Sequence, residues 1–343
     1  MSRAKLRPSP AGRVSPLAIL AADPESPPAE ARRLRPRPAS PTGLLVRALV
    51  LVFSATILYR LALLAVETYE ASRFTRPPVV AQSQPRPAVT DAGLDAVLRE
   101  AGLPGGVVGA FVRNLANGAA AGLNPDRRFP AASLFKLPLM VEVFRQQRLK
   151  QFSWDDELTV GREHWTDGSG VLQARVGEKI KIGELLRLTI VESDNIAANM
   201  LTDLVGVDSI NQTIEALGLR NTRVVDRFRE NAMPQTTPED IGRLLEIIAT
   251  GRLVDAQTSE EAVRLLERKQ AQSWLADGLP WWGKLAHKWG DVPNARHDVG
   301  IIYTPHNQII LVVLTENGQP AAAADQIRAI SRKVLEYIEG PGP

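Results

Sequence analysis

Ser133 and Lys136, in the run Ser133-Leu-Phe-Lys136, are the residues of this 343-residue chain whose types and spacing most directly permit covalent chemistry. They follow Pro130-Ala-Ala and open a periodic stretch, residues 134–147, that predicts a helix. The serine then falls in the first turn, with the lysine three residues on along the same face. A serine hydroxyl is a weak nucleophile until a base removes its proton. A lysine desolvated in a crowded cleft loses its own proton readily enough to be that base. The first turn of a helix also presents unpaired backbone N–H groups toward a developing oxyanion. Alone the pair is a weak signal, since Ser2-Arg-Ala-Lys5 repeats its spacing.

Two further groups follow in chain order. Ser193-Asp194-Asn195 lies between helical patterns at 181–191 and 196–204, the second closed by Gly206. It reads either as a polar cluster facing a cleft or as a helix cap made by Ser193 or Asp194. Lys288-Trp289-Gly290 comes at the end of a strand-like run, ahead of a turn at Pro293 and Asn294, and has its own decoy in Lys181-Ile-Gly183. Lys288 taken singly could equally be a solvated strand-end lysine. The order is what carries information: S-x-x-K at a helix start, S-D-N between helices, K-x-G on a late strand.

The elements that must position these groups resume near Asp91. A helix over 91–101 and a strand over 106–113 open the region, and a long, mostly helical middle follows. Strands at 285–289, 299–303 and 308–314 and an amphipathic helix over 321–338 close it. Strands at both ends with helices between predict an α+β fold, an antiparallel sheet built from the N- and C-terminal parts with an inserted all-helical region. There is no cysteine, which excludes disulfides and thiolate chemistry. The four histidines form no H-E-x-x-H pair, and no serine sits in a G-x-S-x-G elbow, so neither a zinc protease nor an α/β-hydrolase is expected. No metal or cofactor is called for.

Ahead of this region, residues 1–42 hold nine of the 25 prolines and eight basic against three acidic residues, a composition that cannot bury a core. The pI near 9.2 reflects that tail, because the rest of the chain sums to about −2. No nucleic-acid partner is expected. Residues 43–66 read as a transmembrane helix; the stretch 44–66 is apolar apart from Arg47, Arg60 and a few small polar residues, and Arg60 lies close enough to one end to reach the headgroups. Arg32, Arg33, Arg35, Arg37 and Arg47 before it keep the tail cytoplasmic and send the remainder outward. Residues 67–90 form a Pro-rich spacer and 91–339 the working domain. The expectation is a monomer anchored in the cell membrane by a single pass.

Taken together, Arg128-Phe-Pro-Ala-Ala-Ser-Leu-Phe-Lys136, Gly168-Ser-Gly-Val-Leu-Gln173, Glu192-Ser-Asp-Asn-Ile-Ala-Ala-Asn199, Thr236-Thr-Pro238, His287-Lys-Trp-Gly290 and Arg296-His-Asp-Val-Gly300 resemble the class A β-lactamase family over about 91–339. The resemblance implies that Ser133 is acylated, Lys136 takes its proton, Ser193 relays a proton to the leaving nitrogen and Asn195 holds the substrate amide. Lys288 would place positive charge beside Ser193, and the backbone N–H groups of Ser133 and of Asp291, next after Gly290, would form the oxyanion hole. Trp165 would be a cleft wall or a core residue.

Two positions depart from the family pattern. The stretch from Arg223 to Thr236 is short, and its nearest candidate for the water-activating carboxylate, Glu230, lacks the expected spacing to an asparagine. Trp289 replaces the hydroxyl residue that binds the substrate carboxylate; Arg296 offers either a substitute clamp or a structural salt bridge. The implied substrates are β-lactams or peptidoglycan-like peptides. The alternatives are a D,D-peptidase-like enzyme, or a non-catalytic sensor that binds penicillin or wall peptides.

Overall fold

The computed structural model describes residues 49–61, 88–227 and 233–340. Residues 49–61 form a helix, α1, with its large apolar side chains, Leu51 and Phe53 among them, exposed. The rest of the expected span 43–66, the tail 1–42 and most of the spacer 67–90 lie outside the described residues. Among the described residues no helix is long and apolar enough to cross a membrane.

The main sheet has six strands: β1 (Val89–Thr90), β2 (Val107–Asn114), β3 (Ala119–Leu123), β8 (Lys284–Val292), β9 (Ala295–Tyr303) and β10 (Gln308–Glu316), in the order β1-β3-β2-β10-β9-β8. N-terminal and C-terminal strands meet where β2 pairs with β10, as the strand pattern at the two ends predicts. All pairings are antiparallel except β1 with β3. That exception arises because helix α2 (Ala92–Arg99) and β2 intervene, which brings the chain back in the same direction.

Central strand β10 shows why its sequence is a continuous apolar run rather than an alternating one. Ile309, Leu311 and Val313 point into a core shared with α2 and the C-terminal helix α9 (Pro320–Glu339). Ile310, Val312 and Leu314 point into a second core shared with the helical region. Both faces are covered, so neither parity of residue can be polar. Helix α9 buries Ala323, Ile327, Ile330 and Val334, a spacing of four, three and four that keeps one stripe on the sheet.

The inserted region holds α3 (Lys136–Arg148), α4 (Ile182–Val191), α5 (Asn195–Val205), α6 (Val207–Ala216), α7 (Pro238–Ala249) and α8 (Ala256–Leu266). It is not wholly helical as expected. Two short ribbons interrupt it, β4 (Phe129–Pro130) with β7 (Gln235–Thr236), and β5 (Glu157–Thr159) with β6 (Lys179–Lys181). Strands of two or three residues carry too little alternation to register as a period. Helix α3 buries ten side chains, from Lys136 through Phe144 and Gln146, because other helices and the sheet surround it.

Candidate active site

The serine sits on a turn held from two sides. Ala131 N–H donates to Pro234 O (2.7 Å), extending the β4–β7 ribbon. His297, on β9, lies 2.6 Å through Nε2 from Pro130 O, while its Nδ1 accepts from Thr315 N–H at 3.2 Å. An imidazole that accepts at Nδ1 must carry its proton on Nε2, so the ring is neutral and donates to Pro130. Burial holds its pKa below the usual histidine value. Ala132 then adopts φ +47°, a left-handed conformation that costs a residue with a Cβ roughly 1–2 kcal/mol. The strain is concentrated at the residue before the nucleophile. Residues Ala132–Phe135 make a 3₁₀ turn and the α-helix begins only at Lys136. The expected single helix from 134 is therefore two pieces, because the strained entry tightens the first turn.

Lys136 is fully buried, with Nζ 2.6 Å from Ser193 O, 2.7 Å from Asn195 Oδ1, 3.1 Å from Ser133 Oγ and 3.2 Å from Ser193 Oγ. The two carbonyl oxygens can only accept. A neutral amine that gives its two hydrogens to them is left with its lone pair toward the hydroxyls. Desolvation, reinforced by the charge of Lys288 and opposed by Asp194, drives the Lys136 pKa well below the ordinary lysine value. The shift favours the neutral amine, the form that can take the Ser133 proton.

Ser193 Oγ lies 2.9 Å from Ser133 Oγ, and Lys288 Nζ lies 3.1 Å from Ser193 Oγ. Lys136, Ser133, Ser193 and Lys288 form one connected proton path. Lys288 is also fully buried, and burial brings its pKa down to about 7 against a smaller upward pull from Asp298. Ser193 itself has φ +53°, the second strained residue in the constellation.

Asp194 supplies the support that the cap reading anticipated for it or Ser193. It caps α5 by accepting from Ala197 N–H (2.8 Å), and its other oxygen accepts from Val171 N–H (2.6 Å) and Leu172 N–H (3.0 Å). Asn195 closes the same junction: its N–H donates to Ser169 O (3.0 Å) and its Nδ2 to Asp167 O (3.1 Å). Because Nδ2 is committed there, Oδ1 must face Lys136. Gly170, at φ +132°, could not carry a Cβ, which would fall 2.2 Å from Asp194 Oδ2. Trp165, just before this loop, is 48% exposed. Trp165 is therefore a surface residue and not a core tryptophan.

Lys288 comes from β8, the edge of the sheet, where alternate backbone N–H groups have no neighbouring strand. Gly290 lets this edge approach the serine turn, since a Cβ there would lie 3.3 Å from Ser133 N. Asp291 follows at the position expected to complete the oxyanion hole; its carboxylate binds Arg296 Nε (3.1 Å). Arg296 also donates to Pro320 O (2.6 Å) and stacks over Trp274. Its guanidinium is therefore occupied in a structural pair. Trp289 is buried edge-to-face against Trp274 at 6.4 Å, with Lys288 Nζ 4.9 Å from its ring centroid. It supplies no hydroxyl.

In the segment after α6, Asn211 clamps Val224 through both its N–H (3.0 Å) and its carbonyl (2.7 Å). Arg227 pairs with Asp203 and donates to Glu163 O (2.8 Å), and His164 Nε2 meets Asp203 at 2.9 Å. Arg227 thereby links this loop to the one carrying Trp165. Glu230 lies outside the described residues. His287, hydrogen-bonded through Nδ1 to Asp298 (2.8 Å) beneath Lys288, was not singled out from sequence, nor were His297 and Ala132. The quoted Arg296-His-Asp-Val-Gly300 run contained two of these partners, but only the pairing of β8 with β9 shows what they touch.

A serine beside a buried lysine, with a second serine bridging to a second lysine at a sheet edge, is an arrangement able to support acyl transfer on an α+β scaffold. The model of the β-lactamase enzyme family matches residues 91–338, and the chain belongs to that family. A β-lactamase of Streptomyces fradiae is 30% identical over 241 residues, 64% of this chain and 77% of that protein. A β-lactamase regulatory protein, BlaB of Streptomyces cacaoi, is 26% identical across 70% of this chain and 95% of its own length. Among solved structures, a β-lactamase from Sphaerobacter thermophilus is 30% identical with TM-score 0.69, covering 74% of this chain and 99% of its own.

Proposed function

We propose that this protein opens β-lactams, or a related amide, through an acyl-serine intermediate at Ser133, and that release of the acyl group is slow. The observation that carries the first part is the fully buried Lys136, with Nζ 3.1 Å from Ser133 Oγ and desolvation driving its pKa well below the ordinary lysine value. In acylation the bond from Ser133 Oγ to the carbonyl carbon forms and the carbon–nitrogen bond breaks. The serine proton passes to Lys136 and returns through Ser193 to the departing nitrogen, and the N–H groups of Ser133 and Asp291 receive the oxyanion. Lys288 favours the anion of Ser193 in passing and the substrate's negative charge.

Slow release rests on the sequence between Arg223 and Thr236, where no glutamate stands at the spacing the resemblance requires. Without a placed base, water attacks the acyl-enzyme about 10²–10⁴-fold more slowly. A chromogenic cephalosporin should give a burst of about one equivalent followed by a slow steady state. Rapid turnover with no burst, abolished by Glu230→Gln, would establish Glu230 as a working base and refute slow release.

The regulatory relative supports a second reading, in which a long-lived acyl-enzyme reports β-lactam or wall-peptide presence. A D,D-peptidase-like activity would appear as release of D-alanine from a wall pentapeptide. We place the domain outside the cytoplasm, tethered through residues 43–66, on the basic residues that precede them.

A further inference from the structure

We infer that the protein has a second small-molecule site, for an organic anion, in a cavity separate from the serine centre. The cavity encloses about 440 Å³, within the range of ordinary ligand pockets. It lies between the C-terminal half of α6 with the loop after it and the returning segment 233–235. None of Ser133, Lys136, Ser193, Asn195 or Lys288 lines it.

Its lining divides in two. Ile214, Leu219, Val225 and Met233 give apolar surface, whereas three basic residues, Arg128, Arg220 and Arg223, line it with a single acidic one, Glu215. Arg128 spends one N–H on Asn221 Oδ1 at 3.3 Å. Among the described residues the guanidiniums of Arg220 and Arg223 have neither a hydrogen-bond nor an ion-pair partner. Several other arginines of this domain are paired, Arg145 with Glu142, Arg187 with Glu184, Arg227 with Asp203, Arg296 with Asp291 and Arg328 with Asp277. Two unpaired guanidiniums and a third held by one bond, around an apolar floor, suit a ligand with a carboxylate or phosphate on an apolar body. Arginine's planar fork binds such groups in pairs of hydrogen bonds.

The walls are fixed by bonds that do not need a ligand. Arg223 N–H donates to Gln235 O (3.3 Å), Asn211 clamps Val224, and Pro234 O accepts from Ala131 N–H. These described parts of the walls are therefore held before a ligand arrives, which lowers the ordering cost of binding.

Phenyl phosphate is the probe, titrated calorimetrically into the full chain. The catalytic cleft also attracts anions, so the titration is repeated after Ser133 has been acylated with penicillin. The expected result is saturable binding at millimolar concentration or tighter that survives acylation. It should weaken at least tenfold in the R220Q/R223Q variant, and phenol should not compete. Both arginines are exposed, so this variant should fold. Val225→Trp, at an exposed lining position, should block the cavity without removing charge. Absence of saturable binding, binding lost on acylation, or binding unchanged in both variants would each overturn the inference. The acylation arm rests on the proposed function and is read only once the adduct is seen by mass; the two variant arms need no acyl-enzyme, so failure of acylation and failure of this site are told apart.

Discussion

Replacing Lys288 with methionine should make the folded domain more stable at neutral pH while removing most of its acylation rate. The Lys288 pKa falls from 10.5 to about 7 because the ammonium is fully buried. At about 1.4 kcal/mol per pH unit, the lowered value costs the fold on the order of 4 kcal/mol at pH 7, where the unfolded lysine is charged and the folded one half protonated. Methionine keeps the length and removes the charge. It forfeits the bonds to Ser193 Oγ and Trp289 O, each worth about 1 kcal/mol net. A gain of about 2 kcal/mol remains. The sign follows from linkage: a lysine with a lowered folded pKa leaves the folded state holding fewer protons than the unfolded between pH 7 and 10.5. Wild-type stability therefore rises with pH across that window, and the variant's advantage disappears partway through it and reverses, leaving the variant about 2 kcal/mol less stable above pH 10.5. Urea unfolding of both proteins at pH 6.5 and 10, with fluorescent-penicillin labelling alongside, tests this. A variant less stable than wild type at pH 6.5 would mean that Lys288 is net stabilising and the desolvation reasoning wrong.

Acylation should follow a bell-shaped pH profile, rising as Lys136 loses its proton at a pH well below the ordinary lysine range and falling as Lys288 discharges through about 7. Lys288→Arg, which stays charged, should flatten the alkaline limb even if the overall rate drops. Gly170→Ala should cost about 2–4 kcal/mol in urea unfolding and slow labelling, because its Cβ would strike Asp194 where that carboxylate holds both α5 and the loop. Fusing an export-dependent reporter after Pro343 should give activity; a cytoplasm-only reporter that is active there instead would reverse the proposed orientation.

The sheet was legible because residues 308–314 and 299–303 are apolar at nearly every position, which only a strand buried on both faces tolerates. The order of the Ser133, Ser193 and Lys288 motifs was legible because the first two sit at element boundaries; Lys288 lies midway along β8, which runs three residues past the expected end at 289. Their support was not. That Asp194 rather than Ser193 caps α5, and that it also holds residues 171 and 172, depends on a contact 22 or 23 residues away in the chain. The role of His297 depends on a partner, Pro130, 167 residues distant. Arg296 presented two readings in sequence, and its neighbour Asp291 across the β8–β9 hairpin decides for the structural pair. The positive φ of Ala132 has no sequence signal, since alanine is not a residue that favours it.

The central claim is covalent chemistry at Ser133 driven by Lys136, and intact mass of the 91–339 region within the full chain after mixing with penicillin tests it most directly. Wild type should gain the mass of one whole penicillin molecule, because ring opening expels nothing. Digestion should place that mass on the peptide containing Ser133, and folded Ser133→Ala should gain none. An unmodified wild type under conditions where penicillin stays intact, or an adduct that persists in folded Ser133→Ala, would contradict the account.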